Sequence, residues 1–237
     1  MKKIIFILLI SILSFKCSQH CDSFKNSPNL IYGIDVSHYQ NENSIIDWNL
    51  VANKNNPKIT FAYIRTTMGK DGTDNTFNYN FNEAKKIGLK VGVYHYYRPN
   101  ENSNEQFENF INNNPSLGDL PPVVDIEEKS LFSTKQLLTE ILNFLILIEK
   151  NYGIKPIIYT PQRFYNTYLR NQFKNYDFWI ARQNGYKNPP DNNQMKKEPV
   201  LLDLRCPLIW QYSGTGHING IKGNVDLNVI KKPIWEE

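Results

Sequence analysis

The chain is predicted to fold as an α/β barrel of the TIM type, modified to about eight strands with incomplete outer helices. Three observations carry that prediction. Residues 30–232 contain eight short β-rich runs. Helical patterns separate the first runs, whereas the last follow one another with little helix between them. Several runs, such as Phe61-Ala62-Tyr63-Ile64, are apolar without alternation, as befits strands covered on both faces. Strand–helix alternation of this kind implies a largely parallel sheet with helices packed outside it.

The elements follow in order. Lys2 and Lys3 precede an apolar run that stops at Cys17. The run is short for a bilayer span and reads as an export signal. Residues 1–17 are assigned to that signal, 18–29 to a short polar tether and 30–232 to one catalytic barrel. Cys17 stands where a lipid would be attached, although Lys16 replaces the small residue usual before it. Cys21 and Cys206 are then left over. An oxidising compartment could join them, and spacing alone does not decide this.

The strand runs are 31–37, 60–66, 90–97, 122–126, 155–159, 177–181, 207–212 and 225–228. Asp47 is placed to cap a short helix that turns Trp48, Val51 and Ala52 inward. Residues 78–87 read as a helix stopped by Gly88. Ser103-Asn104-Glu105-Gln106 and Ser133-Thr134-Lys135-Gln136 both have the capping-box pattern. The second opens a strongly apolar helix that ends near Gly153. Residues 161–169 read as a further helix begun by proline. Residues 184–199, with three prolines and no periodicity, read as a loop.

Bulk properties narrow the function classes. Hydrophobic residues make up 41% of 237, too many for a disordered chain. The net charge of +4 is spread without a Lys/Arg run, so no nucleic-acid partner is expected. A mild positive charge suits a protein that dwells near an anionic wall. No histidines and cysteines share metal-ligand spacing, so neither metal nor cofactor is expected.

Four acids interrupt or follow apolar strands: Asp35, Asp125, Glu127 and Asp226. A buried carboxylate is costly unless paired or hydrogen-bonded, and sites of barrel enzymes gather at the strand C-termini. Asp125 and Glu127 are the sharpest signal. The side-chain period of two puts them on one face, with Cα atoms roughly 6.5 Å apart. Two carboxyl groups near one glycosidic oxygen are what glycoside hydrolysis needs. Loop-capping acids at a strand end are the competing reading of that pair alone.

The wider sequence is similar to the glycoside hydrolase family 25 muramidases over nearly all of residues 31–230. Gly33-Ile34-Asp35-Val36-Ser37-His38-Tyr39-Gln40, Phe61-Ala62-Tyr63-Ile64-Arg65-Thr66-Thr67 and Val91-Gly92-Val93-Tyr94-His95-Tyr96 carry the likeness. So do Pro122-Val123-Val124-Asp125-Ile126-Glu127, Phe178-Trp179-Ile180-Ala181, Ile209-Trp210-Gln211-Tyr212-Ser213 and Gly223-Asn224-Val225-Asp226-Leu227-Asn228. The resemblance implies a lysozyme acting on the β-1,4 bond between N-acetylmuramic acid and N-acetylglucosamine. It puts Glu127 at the proton-donor position, Asp125 at the adjacent acid and Asp35 and Asp226 at the two others lining the site. Met68 departs from the acidic residue frequent at that position, and Arg65 stands where lysine is common.

Tyr63, Tyr94, Tyr96, Arg98, Tyr159, Trp179, Trp210, Gln211 and Tyr212 are the candidate substrate-binding residues. His38 and His95 are expected to be hydrogen-bonding supports, and Glu128 to point into solvent. The expected partner is peptidoglycan, the expected state a monomer. The expected location is outside the cytoplasm: secreted, periplasmic or lipid-anchored through Cys17. A catalytically inactive glycan-binding barrel and a hydrolase of another N-acetylated glycan such as chitin are the alternatives.

Overall fold

The computed structural model describes residues 21–42, 44–114, 116–186 and 197–235. The signal segment, Cys17 and most of the 184–199 loop lie outside them. Eight strands close into a barrel: β1 (Ile31–Val36), β2 (Ile59–Met68), β4 (Lys90–Tyr96), β5 (Val123–Asp125), β6 (Ile157–Pro161), β7 (Phe178–Ala181), β8 (Ile209–Gly216) and β9 (Val225–Ile230). Their order is β1-β9-β8-β7-β6-β5-β4-β2, with β1 pairing β2 to complete the circle. A two-residue strand, β3 (Gly72–Thr73), folds back on the end of β2. Apart from the β2–β3 pairing, the ladders from β1 through β8 are parallel. β9 runs antiparallel to both β8 and β1. Residues 217–224 are too few for the crossover of a dozen or more residues that a parallel return requires.

The helices α1 (Trp48–Asn53), α2 (Phe77–Lys86), α3 (Ser103–Asn113) and α4 (Thr134–Tyr152) cover the outside. Asp47 caps α1 by accepting from the Leu50 amide at 3.0 Å. Ser133 caps α4 through Gln136, and Gly153 ends it with φ of 69°. The third expected cap is corrected. Asn102, not Ser103, caps α3, accepting from Asn104 and Glu105. Asn102 holds the extended backbone a cap needs, which leaves Ser103 inside the helix with its hydroxyl donated to Glu140 at 2.6 Å. The helix read at 161–169 is a short turn, Gln162–Phe164, that widens into π-helical Tyr165–Leu169.

The core has two layers because strand side chains alternate. Phe61, Tyr63, Val123, Ile157, Trp179 and Ile209 fill the barrel interior. Ala62, Ile64, Val91 and Leu227 pack outward on one side, with Trp48 and Val51 of α1 and Ala84 of α2. Val93, Val124 and Ile158 pack outward on the other, with Phe110 of α3 and Leu145 of α4. Gly33 and Gly92 make room for the large interior rings. A Cβ at either would lie 2.4 Å from Phe61 or Tyr63 respectively. Residues 21–25 of the segment expected as a tether make contacts with the barrel. Cys21 is disulfide-bonded to Cys206, Phe24 is buried against Trp210, and Glu198 accepts from the Phe24 and Lys25 amides and the Ser23 hydroxyl. Burial of the Phe24 ring and capture of otherwise open amides fasten the segment to the barrel wall.

Candidate functional site

The same alternation that fills the barrel interior with rings aims acids into its mouth. On β1, Gly33 and Asp35 face inward. On β9, Asp226, Asn228 and Ile230 do. On β5, Val123 and Asp125 do. Residues at the C-terminal ends of the strands therefore surround a cleft of about 190 Å³ lined by Asp35, Tyr94, Asp125, Glu127, Trp179 and Asp226, among others. Ser37, Tyr39, Gln40, Arg65, Tyr96, Val123, Tyr159 and Gln211 complete its wall.

The four carboxyl groups form two couples. Asp35 and Asp226 are register partners of the β1–β9 ladder and share a side-chain hydrogen bond. Asp125, the last residue of β5, hydrogen-bonds Glu127 two positions on. Carboxyl groups this close favour holding a proton between them. Burial is the first cause of a raised pKa at all four. It lifts Asp35 to about 6, against the opposing hydrogen bonds of Asn228 and Gln211. It lifts Asp226 to about 8, helped by the charges of Asp35 and Glu127. Asp125 is raised well above the usual range, with Glu127 adding to the effect of burial. Glu127 stands at the solvent-reached rim, where partial enclosure raises it, the Asp125 hydrogen bond opposes and Glu128 reinforces.

The supports of these acids differ in kind. One oxygen of Asp35, Oδ2, accepts from Gln211 Nε2 at 3.0 Å and from Asn228 Nδ2 at 2.7 Å. Both amides are themselves fixed, since Tyr159 Oη donates to Gln211 Oε1 and Trp179 Nε1 donates to Asn228 Oδ1. Asp125 Oδ1, by contrast, is buried without a hydrogen-bond donor beside it among the described residues. Arg65 reaches the cleft from β2 and is held by Asp74 at 3.1 Å and by the His38 ring. Asp74 also accepts from the His38 amide at 2.8 Å. His95 points out of the barrel, between Thr67 and Gln106, and burial lowers it to about 4.

Of the residues singled out in the sequence, Glu127, Asp125, Asp35, Asp226, Tyr94, Tyr96, Tyr159, Trp179 and Gln211 all reach the cleft. Four do not. Trp210 and Tyr212 flank inward-facing Gln211 and must therefore point outward, where both are fully buried, Trp210 against Phe24 and Tyr212 against Tyr32 and Tyr186. Tyr63 faces inward but one layer deeper, donating to the Pro121 carbonyl. Arg98 lies past the end of β4 and pairs with Glu101 at 3.2 Å and Asp71 at 3.8 Å. Asp74, Tyr39 and Asn228 belong to the site's framework and were not singled out. Asn228 sits two residues from Asp226 on one strand, so the period of two could have found it. Asp74 lies between β3 and α2 in no apolar run, and nothing local marks it.

A closed barrel with paired carboxyl groups at its mouth is the constellation of a glycosidase. Residues 34–221 match the model of glycosyl hydrolases family 25. The chain is 36% identical over 209 residues to the uncharacterized protein YegX of Escherichia coli (strain K12), covering 87% of this chain and 71% of that one. It is 31% identical over 212 residues to Lysozyme M1 of Streptomyces globisporus, covering 84% and 67%. It superposes on a family 25 glycosyl hydrolase from Bacillus anthracis with a TM-score of 0.72 at 30% identity, over 86% of this chain and 89% of that one. The chain belongs to glycosyl hydrolases family 25 and is a glycoside hydrolase.

Proposed function

We propose that this enzyme is a lysozyme that hydrolyses the β-1,4 bond between N-acetylmuramic acid and N-acetylglucosamine in peptidoglycan. The observation that carries the reading is the Asp125–Glu127 couple: two carboxyl groups of raised proton affinity, one at the cleft rim and one inside it. The lysozyme relative supports the choice of glycan.

Glu127 is the general acid. Burial and the Glu128 charge raise its proton affinity against the opposing Asp125 hydrogen bond, and its place at the rim suits a bond that lies across the cleft. Asp125 is the partner inside. Its carboxyl group lines the cleft, where it can accept from the N–H of a substrate N-acetyl group. An acetamide oriented in that way can itself attack the anomeric carbon, a substrate-assisted route known among glycosidases. The other couple is less suited to activating water. Asp226 holds its proton to about pH 8, and Asp35 is engaged by two amide donors. A fixed negative charge at Asp35 instead steadies an oxocarbenium-like state. Tyr94 and Tyr96 present their rings to the sugars, with buried Trp179 and Tyr159 forming the cleft floor.

The enzyme acts outside the cytoplasm, exported by residues 1–17. Incubation with purified sacculi should release reducing ends, while chitin oligomers should be cut much more slowly. Folded enzyme that releases nothing from sacculi across pH 4–8 would contradict the reading. Faster cleavage of chitin oligomers would redirect it to another N-acetylated glycan.

A further inference from the structure

The loop after β5 carries a third carboxylate that the reaction above does not use. Glu128 is exposed, yet it is not free. Tyr96 Oη donates to its Oε1 at 2.7 Å. Tyr96 lines the cleft and is the register partner of Asp125 across the β4–β5 ladder. The loop itself is pinned at both ends. The Ile126 amide donates to the Tyr159 carbonyl at 2.9 Å, the Leu131 amide to Asn100 Oδ1 at 2.7 Å and Ser130 Oγ to the Pro99 carbonyl at 3.2 Å. A pinned backbone and a hydroxyl donor fix the Glu128 charge in one place beside Glu127.

We propose that Glu128 is a positioning residue for the proton donor: it straps Tyr96 to the cleft rim and holds its own negative charge beside Glu127. The inference rests on Glu127 being the general acid. Every element around Glu127 contributes a titratable or charged group: Asp125 from β5, Tyr96 from β4, Tyr159 from β6, Asp35 from β1, Asp226 from β9 and Arg65 from β2. Asp125 opposes protonation of Glu127 through its hydrogen bond, whereas Glu128 favours it. Removing the Glu128 charge should therefore make Glu127 release its proton at lower pH.

The test compares Glu128→Gln with Glu128→Asp in the full enzyme. Glutamine keeps an acceptor for Tyr96 and removes the charge, whereas aspartate keeps the charge. Unit charges on neighbouring solvated side chains shift one another by about half a pH unit. The alkaline limb of kcat/KM on sacculi should move down by about that amount in Glu128→Gln at low salt. The shift should shrink as salt screens an exposed charge, and Glu128→Asp should bring the limb back. A ¹³C titration of the Glu127 carboxyl, assigned by its loss in Glu127→Gln, reads the same shift without substrate. Absence of cleavage by the wild-type enzyme would thus count against the functional reading while the titration still judges this one. An unshifted Glu127 titration in Glu128→Gln at low salt, or an equal shift in Glu128→Asp, would overturn the inference.

Discussion

Asp35 and Asp226 face each other across the antiparallel β1–β9 ladder, and both side chains enter the mouth of the barrel. Like charges directly opposite on neighbouring strands destabilise a sheet. The hydrogen bond between them and the raised proton affinity of both show how the fold tolerates the pair. It also gives the pair a signature in stability. The folded chain holds these protons at pH values where the unfolded chain has released them, so their contribution to stability is full below about pH 4 and falls as pH rises. The window closes near pH 6 for Asp35 and near pH 8 for Asp226. Each group steepens the fall by up to about 1.4 kcal/mol per pH unit within its window. In Asp226→Asn, denaturant unfolding should lose less stability between pH 5 and 8 than the wild type does. A wild-type stability that rises over that range would contradict the pairing.

Asn228 links the acid pair to the barrel interior. It donates to Asp35 Oδ2 and accepts from Trp179 Nε1. Asn228→Ala leaves a buried indole N–H without a partner, which costs about 1–3 kcal/mol. It also removes an interaction that favours ionised Asp35. Both a lower Tm and a higher Asp35 pKa are expected, the first read by calorimetry and the second by carboxyl NMR. A Tm within a degree of wild type would show that the network is not as tightly coupled as its geometry indicates.

The Cys21–Cys206 bridge ties the N-terminal segment to the strand entering β8, across a sequence separation of 185 residues. Closing so long a loop limits the unfolded chain, worth typically about 2–4 kcal/mol. Cys206→Ser should lower Tm by roughly 5–15 °C and leave the cleft, at the opposite end of the barrel, able to cut sacculi.

Lipid anchoring is tested at Cys17. If a lipid is attached there, Cys17→Ser should move the protein from the membrane to the soluble fraction of cells. Unchanged fractionation would remove the anchor and leave secretion in place.

Much of the site was legible because strand periodicity acts on single residues. Asp125 and Glu127 are two apart, and both reach the cleft. Asp35 and Asp226 each break an apolar run, which is what an inward-facing acid at a strand end does to a sequence. The same rule, applied strictly, would have removed Trp210 and Tyr212. Once Gln211 is assigned to the interior, its neighbours cannot share that face. The orientation of β9 was not readable from its own residues, since it follows from the short 217–224 connection. The Arg65–Asp74–His38 group was hidden for a different reason. Its members come from three separate segments, and only the closed barrel brings them together.

The most direct test of the account is the turnover of Glu127→Gln on purified sacculi, measured beside its affinity for soluble glycan fragments. General acid catalysis contributes roughly 10²–10⁴-fold. The account predicts a loss of at least about 100-fold in kcat with glycan affinity largely retained. Near-normal turnover in Glu127→Gln, with activity abolished in Asp35→Asn or Asp226→Asn, would contradict it and move the proton donor to the opposite couple.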